Sequence, residues 1–137
     1  MYDFNSSTSS TEELPIIVSP GYNTIILQWN DKFGSSSNDY DLYLLNSSGD
    51  TLMSSIDSQT GIGSSPIEGF TYYSSTTQYL YIGVNKYSGS NRTLELFIYG
   101  GEVLSYGNAA DSIFGHQAAA NAIAVGAVNA GSQNIAY

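Results

Sequence analysis

The sequence predicts an all-β fold, an antiparallel β-sandwich or jelly roll of about eight strands. Three observations predict it. Between residues 14 and 106, short apolar runs alternate with polar residues at the period of two that a half-buried strand requires. Turn chemistry such as Pro20-Gly21, Ser48-Gly49-Asp50 and Ser88-Gly89-Ser90-Asn91 separates these runs at roughly 8–15 residue intervals. The composition is 42% hydrophobic and only 11% charged, too apolar for a disordered chain.

Residues 1–13 read as a lead-in or linker, with a low-complexity patch from Ser6 to Ser10. Ser10-Thr11-Glu12-Glu13 has the spacing of a helix capping box, but Pro15 follows too soon for a helix to develop. Ile16 to Val18 is a short strand closed by Pro20-Gly21. Asn23 to Asn30 is the clearest strand, with Ile25, Leu27 and Trp29 on one face and Ile26, Gln28 and Asn30 on the other. After a loop from Asp31 to Asn38, the strand Asp39 to Asn46 sets Tyr40, Leu42 and Leu44 against Asp41, Tyr43 and Leu45. A turn at Ser48-Gly49-Asp50 returns the chain as Thr51 to Asp57, with Leu52 and Ile56 in phase. Ser58 to Ser65 is Gly/Ser-rich and reads as a flexible loop.

Three longer strands follow. Ile67 to Tyr73 puts Ile67 in phase with Tyr73, and Phe70 with Tyr72. Gln78 to Tyr87 turns Leu80, Ile82 and Val84 inward and Tyr79, Tyr81 and Asn85 outward. Arg92 to Tyr99 sets Leu94, Leu96 and Ile98 against Glu95, Phe97 and Tyr99. Gly100-Gly101 breaks this run, and Val103 to Tyr106 is the last short strand. The sandwich therefore spans 14–106. Residues 107–137 differ: they turn to Ala, Gly, Ile and Val, and Ile123 to Val128 reads as a strand buried on both faces, of the α/β type. Such a strand needs sheet neighbours that this chain does not supply, so the sequence predicts a piece of a larger protein.

Charge and composition exclude several functions. Twelve acidic residues stand against Lys32, Lys86 and Arg92, a net charge of −9 that repels nucleic acid and anionic membrane surfaces alike. No cysteine is present, so disulfides are no part of the stability. No apolar run has the length of a membrane span. The N-terminus lacks the basic and apolar regions of a signal peptide. The Ser-, Asn- and Tyr-rich composition is that of an extracellular β-protein.

One cluster has metal-ligating chemistry. Asp39 and Asp41 leave the same face of a strand, and Asp31 begins the loop that ends there. Three carboxylates and nearby carbonyls suit Ca²⁺, a hard ion that takes six to eight oxygen ligands. The competing reading is that Asp and Asn cap turns through local backbone hydrogen bonds. Twelve tyrosines and one tryptophan could form a stacking platform for sugars or peptides, with Tyr79 and Tyr81 sharing a face with Tyr73 or Tyr99. Against that, tyrosine is a good strand residue that needs no ligand to explain it. His116, the single histidine, lies in a Gly/Ala segment and reads as structural.

Two stretches resemble known families. Asn38-Asp39-Tyr40-Asp41-Leu42-Tyr43-Leu44 is similar to the DxDLYL signature of bacterial pre-peptidase C-terminal domains, β-sandwiches attached to secreted peptidases. Residues 115–130, GHQAAANAIAVGAVNA, resemble a catalytic-domain segment of subtilisin-like serine peptidases, with Gln117 where a small residue or Pro is common. With the residues that follow it to Tyr137, the resembling segment is about one sixth of the chain, and none of that family's Asp, His or Ser motifs is present. It implies a secreted peptidase parent that cleaves protein or peptide substrates, with the triad outside this chain. Residues 14–106 would be a non-catalytic insert and 107–137 a partial catalytic-domain segment whose partner is the rest of that domain. The alternative is an extracellular sandwich that binds carbohydrate or protein, with Ca²⁺ as its cofactor.

Overall fold

The computed structural model describes residues 13–105. The chain divides into two units, Met1–Gly107 and Asn108–Tyr137, and the description concerns the first. The lead-in up to residue 12, the Ala-rich segment and His116 lie outside the described residues, and Glu13, expected in the lead-in, already belongs to the first strand.

Among the described residues ten strands run in order: β1 (Glu13–Val18), β2 (Gly21–Trp29), β3 (Ser35–Ser36), β4 (Asp39–Leu45), β5 (Thr51–Ser55), β6 (Gly61–Ile62), β7 (Ile67–Ser74), β8 (Gln78–Ser88), β9 (Leu94–Tyr99) and β10 (Gly101–Val103). They form a five-stranded sheet in the order β10-β1-β8-β4-β5, a three-stranded sheet β7-β2-β9 and a ribbon β3-β6. Every pairing is antiparallel. Among the described residues there is no helix. The expected all-β sandwich is the fold found.

The period-two patterns explain why the two larger sheets meet. Leu14, Ile16 and Val18 of β1, Tyr40, Leu42 and Leu44 of β4, and Leu80, Ile82 and Val84 of β8 face inward from one sheet. Ile25, Leu27 and Trp29 of β2 face them from the other, and Phe70, Tyr72, Leu94, Leu96 and Ile98 close the sides. Each fully buried aliphatic side chain contributes about 1.5–3 kcal/mol through removal from water. The Trp29 and Tyr40 rings meet across the layers with centroids 5.2 Å apart.

Three departures from the sequence expectation have local causes. Leu44 pairs with Met53 and Leu42 with Ser55, so Met53 shares the inward face of β4 and packs on the core while Leu52 and Ile56 turn outward; the register shift that follows pairs Leu45 with Thr51. The loops at 31–38 and 58–65 are tied together by the β3–β6 ribbon, with the Gly63 amide donating to the Gly34 carbonyl at 2.9 Å and the Ser36 amide to Ser64 at 3.0 Å. The last described strand is Gly101–Val103, two residues earlier than expected at its start, because Gly100 at φ 90° makes the turn and Gly101 packs directly on the Ile17 carbonyl; Tyr106, the expected end, lies outside the described residues.

The path of the chain matters for function. β10 pairs with β1 through Ile16↔Val103, Ile17↔Glu102 and Val18↔Gly101, and the Leu104 amide donates to the Pro15 carbonyl at 3.0 Å. The chain thus enters and leaves the sandwich side by side.

Candidate functional site

β4 begins with the two acids singled out in the sequence, and both face outward from the sheet because Tyr40 and Leu42 face in. Asp39 is buried although it is a carboxylate. Its Oδ1 has no hydrogen-bond partner, while the backbone N–H of Gln59, from the loop that folds over it, donates to the same carboxyl. Burial pushes the Asp39 carboxyl above its usual range, and the negative charge of Asp41 adds to the rise. Asp41 is held by two donors: the Tyr43 hydroxyl at 3.2 Å and Asn85 Nδ2 at 3.0 Å, both to Oδ2. Tyr43 in turn is pushed up, first by burial and then by the Asp41 charge.

Asp31 stands in a different setting. Asn38 Nδ2 donates to both its oxygens at 2.9 and 2.8 Å, and the Asn38 backbone N–H reaches Oδ2 at 3.3 Å. Ser36 Oγ accepts from Trp29 Nε1 at 3.2 Å and gives its single proton to Asp31 Oδ2 at 2.9 Å, the charged acceptor. Arg92 Nε lies 2.6 Å from Oδ1. Burial alone would raise this carboxyl, but the Asn38 and Ser36 hydrogen bonds, with the Arg92 charge behind them, outweigh it and hold Asp31 down at about 2. Tyr40 completes the arrangement: its hydroxyl donates to Ser90 O at 3.1 Å and accepts from the Arg92 amide at 2.8 Å. Asp31 therefore fastens the 31–38 loop to the turn before β9.

The expected three-acid set is thus split. Asp39 and Asp41 come together, and Asp31 is taken by Arg92 and Asn38. Among the described residues no three His, Cys, Asp or Glu side chains are grouped to hold a metal ion.

A second buried carboxylate escaped the sequence reading. Glu68 of β7 is only 2% exposed and faces inward. It accepts from the Ser55 hydroxyl, and from Gln59 Nε2 at 2.7 Å. Burial pushes its carboxyl up; the Ser55 and Gln59 hydrogen bonds pull it part of the way back, and the charge of Asp57 opposes them. Its phase with Phe70 and Tyr72 was the available signal.

Tyr79 and Tyr81 do not share a face with Tyr73 or Tyr99. Tyr79 and Tyr81 lie on the outer face of the five-stranded sheet, opposite Ile17 and Pro15. Tyr73 and Tyr99 lie on the outer face of the three-stranded sheet, on the far side of the core, beside Tyr22 and Thr24. There Tyr22 and Tyr73 pack edge to face at 5.2 Å, and the Thr24 and Thr71 hydroxyls hydrogen-bond at 3.0 Å.

Compared with known proteins, the chain matches no protein-family model and no curated protein.

Proposed function

We propose that residues 14–106 form a non-catalytic sandwich inserted in the catalytic domain of a secreted subtilisin-like serine endopeptidase. Residues 107–137 then belong to the catalytic domain, and the triad that hydrolyses the peptide bond lies outside this chain. The observation that carries the reading is the pairing of β10 with β1, which brings the incoming and outgoing chain together. A host domain accepts a folded insertion most easily when its ends are adjacent, because its own backbone then needs little rearrangement. The resemblance of residues 115–130 supplies the host.

The flanking reading frame tests this. Asp and His motifs with an oxyanion Asn upstream, and a Gly-Thr-Ser block downstream, are expected. A frame that extends in both directions without them overturns the reading. In the longer protein, replacing residues 14–104 with a short Gly/Ser linker should preserve peptide hydrolysis.

The orphaned Oδ1 of Asp39 beside Asp41 favours a second element of the proposal, a Ca²⁺ ion at this pair. Its charge would offset the repulsion between two desolvated carboxylates. Adding Ca²⁺ is then expected to raise the melting temperature, chelator to reverse the rise, and Asp39→Ala to abolish it. An equal rise in Asp39→Ala sinks the ion site.

A further inference from the structure

The three-stranded sheet has an edge strand whose hydrogen-bonding groups are only partly used. β7 pairs with β2 alone among the described residues. The Gly69 amide turns away from β2 and donates to Ser55 Oγ at 3.1 Å, and the Ile67 amide turns back to Ser65 O at 2.9 Å. Strand alternation turns the N–H and C=O of Thr71 and Tyr73 to the same side. Ser55 thus closes one half of the edge, and among the described residues the half at Thr71 and Tyr73 is open. Both residues are exposed.

The open half adjoins a groove of about 410 Å³ lined by Thr24, Ile26, Asp57, Ile67, Gly69 and Thr71. Its floor exists because Gly69 places no side chain between Ile67 and Thr71; a Cβ there would stand 3.4 Å from Ile26 Cγ1. Asp57 at the rim is exposed, and the Arg92–Asp31 pair is the one ion pair among the described residues, so Asp57 has no cationic partner among them. The edge offers backbone pairing, the groove takes an aliphatic stem, and its rim carries an unneutralised carboxylate on a chain of net charge −9.

We propose that the free edge of β7 binds an extended peptide as an added strand, its backbone paired with Thr71 and Tyr73 and a lysine or arginine side chain lying over Gly69 towards Asp57. Strand addition of this kind draws affinity from main-chain hydrogen bonds and selectivity from the pocket that alternate side chains enter. A second copy of this chain is a poorer occupant, because it would bring another strongly acidic surface against Asp57. The inference does not depend on the peptidase reading: it holds for a free-standing sandwich as well as for an insert.

The test uses the full 137-residue chain and a fluorescent decapeptide of alternating valine and lysine, followed by anisotropy. Saturable binding is expected. Thr71→Pro, which deletes one edge N–H, and Asp57→Asn, which deletes the charge, should each weaken it by about tenfold, the loss of one or two hydrogen bonds or a charge pair. The valine–glutamate counterpart should not bind. Equal binding to wild type and Thr71→Pro overturns the proposal, as does equal binding of the two peptides. Dimerisation of the chain by itself that Thr71→Pro abolishes would also overturn it, in favour of self-pairing. Should Thr71→Pro fail to fold, amide hydrogen exchange in the wild type decides: the lysine peptide must slow exchange at Thr71 and Tyr73 by about tenfold, and unchanged exchange refutes strand addition.

Discussion

The carboxyl of Glu68 sits among side chains that would otherwise make an apolar core edge, and its ionisation works against folding. Because burial raises its pKa in the folded protein, the native state keeps this proton at pH values where the unfolded chain has lost it. Stability is therefore highest below the ordinary glutamate range and declines as pH rises through the raised value. Glu68→Gln reproduces the protonated form: its amide can donate to Ser55 Oγ while its oxygen accepts from Gln59 Nε2. Denaturant melts across pH 4–7 are expected to show a flatter profile for Glu68→Gln than for wild type. Asp31 acts in the opposite sense. Held down at about 2, it stabilises the fold above the ordinary aspartate range and stops doing so as pH falls towards 2. Asp31→Asn should cost about 1–2 kcal/mol at neutral pH, a figure reduced by the exposure of Arg92, and should remove the corresponding acid limb.

Among the elements, β10 is the most sensitive to a small change. Its first residue has no room for a side chain, because a Cβ on Gly101 would drive into the Ile17 carbonyl. Gly101→Ala should destabilise the fold by about 1–3 kcal/mol in chemical denaturation, the range for forced overpacking. The strands that sequence alone located best are those with an unbroken period of two. Ile25, Leu27 and Trp29 were placed on one face, and all three are buried. So were Tyr40, Leu42 and Leu44. The β3–β6 ribbon was illegible because two residues of Ser or Gly and Ile carry no period at all. The phase of β5 was illegible because Leu52 and Ile56 suggest one face, whereas the cross-strand pairing of Met53 with Leu44 sets the other inward. At the acid cluster, the shared face of Asp39 and Asp41 follows from their spacing. The diversion of Asp31 does not, since its cation lies far along the chain at Arg92. Nor did spacing reveal that the tyrosines of β7 and β8 belong to different sheets.

For the molecule as a whole, the described sandwich has its own core drawn from both larger sheets. A chain comprising residues 13–105 is expected to melt cooperatively by circular dichroism, at a temperature close to that of the full chain. A broad, non-cooperative melt would mean that residues outside this range complete the core. The arrangement of β1 and β10 also has a mechanical consequence. The two tails leave from the same end of an antiparallel pair, so tension between them does not shear the sheet. It opens the pair like a zipper, first the bond from Leu104 to Pro15, then the pairing at Glu102, then the bond from Ser19 to Gly100, with few hydrogen bonds under load at any moment. Stretching whatever lies on either side would peel β10 away at low force and leave β1 on β8, so the module yields at its seam before it yields in its core.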